Sequence, residues 1–249
     1  MEMRKIAFLM ASASTGKLSG ELARREKILK SFASEETQID MFGLEKDPEK
    51  SHLGTIASGF DSAMGVPTMI RCAIEAEKAG YQAVIGSCAG DPGVRPLREV
   101  LTIPVIPSGT VARHMCSMMG RFSLLSPGRE GSRSVDMLER GGLMNLVSRH
   151  GIGFSVLGVR ENPDKAYEAM VREGKNAVEE FRAGSVTYGC MSMAFLPRAL
   201  KLGDEIGIPA FNPVQTAVKM AELYIDLGIK HSKLLHPIPV RLHKHLGNV

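Results

Sequence analysis

Short apolar runs that end in small or turn residues alternate with segments of helical spacing along this 249-residue chain, and the alternation starts twice. The first series predicts strands over 5–10, 37–41, 82–86 and 104–106, with helices over 17–32, 66–79, 94–101 and 108–119. A basic residue and a fresh apolar run at 121–126 then open a second series. It continues as helix 132–140, strand 153–159, helix 163–182, strand 185–189, helix 194–206, strand 209–211 and helix 214–227. Strands apolar on both faces, each followed by a helix, form parallel sheets covered by helices. Ile103-Pro104 and Met115 recur as Ile208-Pro209 and Met220 at the same spacing. That recurrence points to an internal duplication of roughly 100–115 residues, too long for a solenoid and right for two similar α/β lobes.

The same two-part plan governs the cysteines. Residues 83–98 read as a strand that stops at Gly86-Ser87-Cys88, then turn residues, then Pro96-Leu97-Arg98. Residues 185–198 read as a strand, Gly189-Cys190, and Pro197-Arg198. Ligands of open parallel sheets bind beyond the carboxyl ends of strands, which is where both thiols fall. Each also precedes a predicted helix, whose N–H groups favour thiolate and lower a cysteine pKa from about 8.5 toward neutrality. A thiol and a thiolate facing one carbon can remove a proton from one face and deliver another to the opposite face, which is racemisation or epimerisation. The α-proton of a carboxylate or amide is weakly acidic, so backbone N–H groups and hydroxyls must stabilise an enolate-like intermediate. Ser12, Ser14, Ser87 and Ser192 are candidates, with Ala89, Gly90, Gly189 and Met191 as further substrate contacts beside the thiols.

Composition narrows the alternatives. A hydrophobic fraction of 44% with 23% charged residues is that of a folding globular chain. A net charge of +4, without a basic helix or interleaved aromatic and Arg residues, does not suggest nucleic acid, and a small molecule is the expected partner. The apolar run near the N-terminus is too short for a signal peptide or a membrane span, so a cytoplasmic protein with reduced thiols and no membrane association is expected. No Cys pair has C-x-x-C spacing and the seven histidines are scattered, so no metal is expected. No Schiff-base lysine motif, Walker loop or G-x-G-x-x-G follows a strand, so the chemistry is expected to need no cofactor. Cys72, Cys116 and His114 are assigned to packing. The polar run 43–65 is a candidate lid or a surface excursion, with Pro67 in the first turn of the helix after it. The basic tail 230–249 is a solvated extension or a strap over a neighbouring lobe.

Val84–Gly93, with its Cys88-Ala-Gly-Asp91-Pro-Gly string, resembles the first-cysteine segment of the aspartate/glutamate/hydantoin racemase superfamily, most closely the hydantoin racemase branch. Residues 120–125 resemble the opening of that branch's second lobe, 188–193 its second-cysteine segment, and 209–222 the strand and helix that follow. The resemblance covers most of residues 4–228. It implies an α/β fold of two pseudosymmetric lobes, each a parallel sheet flanked by helices in the Rossmann or flavodoxin manner, with the active site between them. The last helix would return to the first lobe, making the domains 1–112 plus 213–249 and 113–212, in a homo-oligomer. It also implies a cofactor-independent racemase with Cys88 and Cys190 as the two acid/base residues. The chain departs from the family in carrying Ala11-Ser-Ala-Ser14 where Asn-Pro-Asn is common, and in lacking an acidic residue near Asn212. The substrate therefore stays open among amino acids, hydantoins and related compounds. The superfamily's decarboxylases and cis–trans isomerases are the alternatives, though decarboxylases lack a cysteine at position 88. A non-catalytic two-lobed binding protein would leave both cysteines unexplained.

Overall fold

The computed structural model describes residues 3–10, 19–43, 56–134, 142–240 and 242. Two compact units emerge, Met1–Pro107 with Ala217–Val249, and Ser108–Thr216. In the first, β1 (Arg4–Leu9), β2 (Thr37–Phe42), β3 (Ala83–Gly86) and β4 (Val105–Pro107) form a parallel sheet of order β2-β1-β3-β4. Ile6, Phe8, Val84 and Ile85 are wholly buried, as strands covered on both faces must be. Helices α1 (Ser19–Phe32), α2 (Gly59–Lys78) and α3 (Val94–Val100) belong to the crossovers. One core cluster joins Leu9, Met69, Ala73, Val84, Leu97 and Val105, with Cys72 packed against it.

The second unit repeats the order. It contains α4 (Ser108–Met118), β5 (Phe122–Ser126), β6 (Gly131–Ser134), β7 (Leu146–Gly151), α5 (Val156–Glu161), α6 (Pro163–Phe181) and β8 (Ser185–Tyr188). Then come α7 (Met191–Ala194), a 3-10 turn at Ala199–Lys201, α8 (Leu202–Ile206) and β9 (Ala210–Phe211). Its sheet runs β6-β7-β5-β8-β9. Without β6, the order β7-β5-β8-β9 matches β2-β1-β3-β4 strand for strand, the topological trace of the duplication. Helix α9 (Pro213–Asp226) leads back to the first unit. There Asp226 accepts from Arg4 Nε and Nη2 at 2.6 and 2.9 Å, and Glu222 accepts from the Ser34 N–H at 2.7 Å.

Several expected elements differ. The segment read as the start of helix 132–140 is instead strand β6, antiparallel to β7, so the second sheet is not purely parallel; 135–140 lie outside the described residues. The strand expected at 153–159 is helix α5, started by Ser155, whose Oγ accepts from the Gly158 N–H at 3.0 Å. The strand of that region lies earlier, at β7. Its buried face carries Ser148 and His150, both fully buried, so no apolar alternation marked it. Helix α2 begins seven residues before the expected 66. Ser58 Oγ accepts from the Asp61 N–H at 3.1 Å while Asp61 accepts from the Ala57 N–H at 3.0 Å, a reciprocal cap that outranks Pro67 as a start signal and leaves that proline inside the helix. Residues 44–55 of the suggested lid lie outside the described residues.

In its described part, residues 230–240 and 242, the tail bonds to its own unit through Lys233 and His231. Lys233 Nζ donates to the carbonyls of Arg98, Glu99 and Leu101 at 2.8, 2.9 and 2.5 Å, capping the C-terminus of α3 with a cation. His231 Nε2 accepts the Val105 N–H at 2.9 Å and so covers the edge strand β4. Burial and the nearby Arg98 hold the His231 pKa below its ordinary range.

Candidate active site

In the first unit the ladder between β1 and β3 is extended by the Ser87 N–H, which donates to the Leu9 carbonyl at 3.0 Å. Cys88 follows, two residues beyond the strand's end. It is half-buried, outside any disulfide, and packs on the core cluster containing Leu9, Val84 and Leu97. The chain then turns sharply. The Asp91 N–H donates to the Cys88 carbonyl at 2.9 Å, Asp91 has φ 52° and Gly93, the cap of α3, has φ 73°. Ala89 is buried beneath the turn, and position 90 lies alongside the thiol, since a Cβ there would stand 3.8 Å from Cys88 Sγ.

The second unit builds the corresponding place by a different local device. The Gly189 N–H donates to the Leu125 carbonyl at 2.6 Å, extending the β5/β8 ladder as Ser87 extends β1/β3. A Cβ at 189 would lie 3.1 Å from Ser126 Cβ and 3.4 Å from the Leu125 carbonyl oxygen, so the close approach of the two chains needs glycine. Cys190 again follows two residues after the strand, extended at φ −149° and ψ 135°. Its carbonyl accepts from the Met193 and Ala194 N–H groups at 3.2 and 3.4 Å, starting the single turn α7. Met191 and Ser192 are 7% exposed. The continuous helix expected over 194–206 is broken at Pro197, which has no N–H to continue it.

Asn212 holds this segment in place from the far side. Its Nδ2 donates to the Ala194 carbonyl at 2.8 Å while its Oδ1 accepts from the Val214 and Gln215 N–H groups at 3.0 and 3.3 Å, capping α9. Tyr188, buried at the end of β8, donates to the Ala199 carbonyl at 2.7 Å. Ser126, at the carboxyl end of β5 beside Gly189, was not singled out by the sequence. It ends a strand whose neighbours are apolar, and only the β5/β8 pairing brings it beside Gly189, the residue before the second thiol.

The four cysteines separate by environment. Cys116 is fully buried on α4, and burial pushes its thiol up to about 12, so it stays protonated and unreactive. Cys72 packs on the core of the first unit. His114 was assigned to packing but lies on the exposed face of α4. Cys88 and Cys190 are half-buried at matching strand ends, each in its own unit. Of the proposed substrate contacts, Ser87, Ala89 and Gly90 flank Cys88, and Gly189, Met191 and Ser192 flank Cys190. Ser12 and Ser14 lie outside the described residues. Among the described residues no group of three His, Cys, Asp or Glu side chains is placed to hold a metal ion, and no helix is long and apolar enough to cross a membrane.

A buried polar chain lies within the second unit. Ser123 and Ser148 hydroxyls are 2.6 Å apart, Ser148 Oγ is 2.8 Å from His150 Nε2, and His150 Nδ1 is 3.5 Å from the Glu173 carboxylate of α6. Phe181 packs edge-on against the imidazole at 5.4 Å. Burial lowers the His150 pKa, although Glu173 pulls it the other way.

Known proteins resemble this chain in sequence and in fold. A family model described as Asp/Glu/Hydantoin racemase matches residues 49–221. Hydantoin racemase of Pseudomonas sp. strain NS671 is 32% identical over 220 residues, covering 84% of this chain and 82% of that protein. Hydantoin racemase of Paenarthrobacter aurescens is 31% identical over 183 residues, 72% of this chain and 76% of that protein. The structure of allantoin racemase from Klebsiella pneumoniae superposes with a TM-score of 0.79 at 24% identity, over 99% of this chain and all of that one. The allantoin racemase of Pseudomonas fluorescens gives 0.77 at 23% identity, over 95% and 97%. At such identities these two structures speak for the fold alone.

Proposed function

The chain belongs to the Asp/Glu/hydantoin racemase family and is therefore a racemase, an isomerase; on that premise we propose that it inverts a carbon acid of the hydantoin class, with Cys88 and Cys190 as its two acid/base groups. The observation that carries the reading is the matched position of the thiols. Each stands two residues beyond a parallel strand, β3 or β8, that neighbours the first strand of its sheet, at the topological switch point where open α/β sheets present catalytic groups. The relatives at 31–32% identity, named hydantoin racemases, favour a 5-substituted hydantoin as substrate.

One thiolate takes the proton from the stereocentre, and the electron pair left behind delocalises into the adjacent carbonyl as an enolate. The other thiol then gives its proton to the opposite face. The product is the other enantiomer, and the thiol and thiolate have exchanged roles, ready for the reverse substrate. Atoms and charge balance without a cofactor. Backbone N–H groups at Ala89, Gly90, Met191 and Ser192, with the hydroxyls of Ser12, Ser14, Ser87 and Ser192, are the proposed donors to the developing oxyanion.

The test is proton exchange in D₂O followed by NMR and polarimetry over amino acids, 5-substituted hydantoins and allantoin. The wild type should exchange and invert one member of the panel. Cys88→Ser and Cys190→Ser should each lose inversion by about 10³-fold or more, because a hydroxyl is too weak a base. Each should keep exchange for one enantiomer only, and for opposite ones. Near wild-type inversion by either variant, or the same enantiomer exchanging in both, would overturn the assignment.

A further inference from the structure

The two thiols sit at equivalent points of the duplicated fold, yet only one is followed by a strained backbone. Among the described residues two non-glycine residues have positive φ, Asp91 at 52° and Arg182 at 50°. Arg182 ends helix α6, where a left-handed residue is the usual stop. Asp91 ends no helix. It sits three residues after Cys88 as the last residue of the turn that its N–H closes on the Cys88 carbonyl at 2.9 Å, and its left-handed conformation sets the direction in which the chain leaves that turn for Pro92 and Gly93. A residue with a Cβ is disfavoured there, though Asp and Asn tolerate it better than the rest. The turn has little freedom to relax. Pro92 fixes the next φ, and Gly93, itself at φ 73°, lies so close to α2 that a Cβ would come within 3.2 Å of both Val66 methyl groups. Cys190 makes the same three-residue return, its carbonyl accepting from the Met193 N–H at 3.2 Å, but the chain after it continues into α7 with no positive-φ residue in 191–194.

We propose that Asp91 is a positioning residue for Cys88, its left-handed backbone fixing the exit of the thiol-bearing turn so that Pro92 and Gly93 anchor it against α2, a device that Cys190 does without. Strain retained at one residue beside a reactive group, when the matching half does without it, is the pattern expected of preorganisation. The Asp91 carboxylate also lies within the electrostatic field of Arg98 on α3, a residue whose Nε is buried without a hydrogen bond. This inference rests on the reading of Cys88 as an acid/base group. Its test reads the thiol itself as well as turnover.

The measurement is iodoacetamide alkylation of Cys88 and Cys190 as a function of pH, resolved by peptide mass spectrometry in the full-length protein, together with kcat and KM for each enantiomer. Asp91→Ala should shift the pH profile and rate of Cys88 while leaving Cys190 as an unchanged internal control. It should also lower kcat/KM about tenfold or more, equally in the two directions because the enantiomers have equal free energy, with KM changed less than about threefold, because misplacement of a reacting group costs rate rather than binding. Asp91→Asn and Asp91→Gly, which accept positive φ, should restore the Cys88 profile. A wild-type Cys88 profile in Asp91→Ala overturns the proposal even if its thermal midpoint falls, since that is what a purely structural turn would give. Equal damage from Ala, Asn and Gly overturns it too, by assigning the effect to the carboxylate. If Cys88 alkylation shifts as expected while racemisation is untouched, the positioning of the thiol stands and the catalytic role of Cys88 fails.

Discussion

Asn212→Ala is the substitution that most directly probes how the second thiol segment is held. The side chain is 1% exposed and uses both ends of its amide, Oδ1 for two N–H groups of α9 and Nδ2 for the Ala194 carbonyl. Only this orientation of the amide satisfies all three partners. Losing an Asn cap costs about 0.5–2 kcal/mol, and leaving a buried carbonyl without its donor costs about 1–3 kcal/mol. Asn212→Ala should therefore destabilise by about 2–4 kcal/mol. Asn212→Ser keeps a capping oxygen and loses only the bond to Ala194, so it should recover about 1 kcal/mol of that loss. Urea unfolding reads both as a shift of midpoint at constant slope. A loss below about 0.5 kcal/mol in Asn212→Ala, the range of an ordinary surface change, would refute the bridging role. So would equal losses in the Ala and Ser variants, since the cap would then contribute nothing.

Three further outcomes are expected. Stability should fall with acid below about pH 6.5, because burial holds the His150 pKa below its unfolded value of about 6.5 and the folded state then binds fewer protons than the unfolded one. The slope from His150 is bounded at about 1.4 kcal/mol per pH unit, the value for one proton, with a contribution of the same sign from His231, and His150→Gln should flatten it; a urea midpoint that is constant from pH 6.5 to 5.5 would contradict this. Iodoacetamide should modify Cys88 or Cys190 well before Cys72 and before Cys116, whose thiol is pushed up to about 12, and substrate should slow the reaction; peptide mapping that finds Cys72 or Cys116 labelled first would remove the basis for choosing the strand ends. Racemisation should survive exhaustive EDTA treatment, and activity that disappears and returns only with a divalent ion would show that thiols alone do not carry the chemistry.

The sequence by itself determined the βα alternation and the position of both cysteines, because fully buried parallel strands must be apolar on both faces and glycine and proline mark where they stop. Phe122–Ser126, Ser185–Tyr188 and the helix Pro163–Phe181 are legible for that reason. Three things became visible only with the tertiary structure. Strand β7 buries Ser148 and His150, whose desolvation is offset in part by bonds to each other and to Ser123, and a polar strand of that kind carries no apolar alternation. Asn212 reaches back across eighteen residues to Ala194, and Ser126 stands beside Gly189 only through the pairing of β5 with β8. Local propensity is written in neighbouring residues, whereas the satisfaction of a buried polar group depends on partners that the fold alone brings within hydrogen-bond distance.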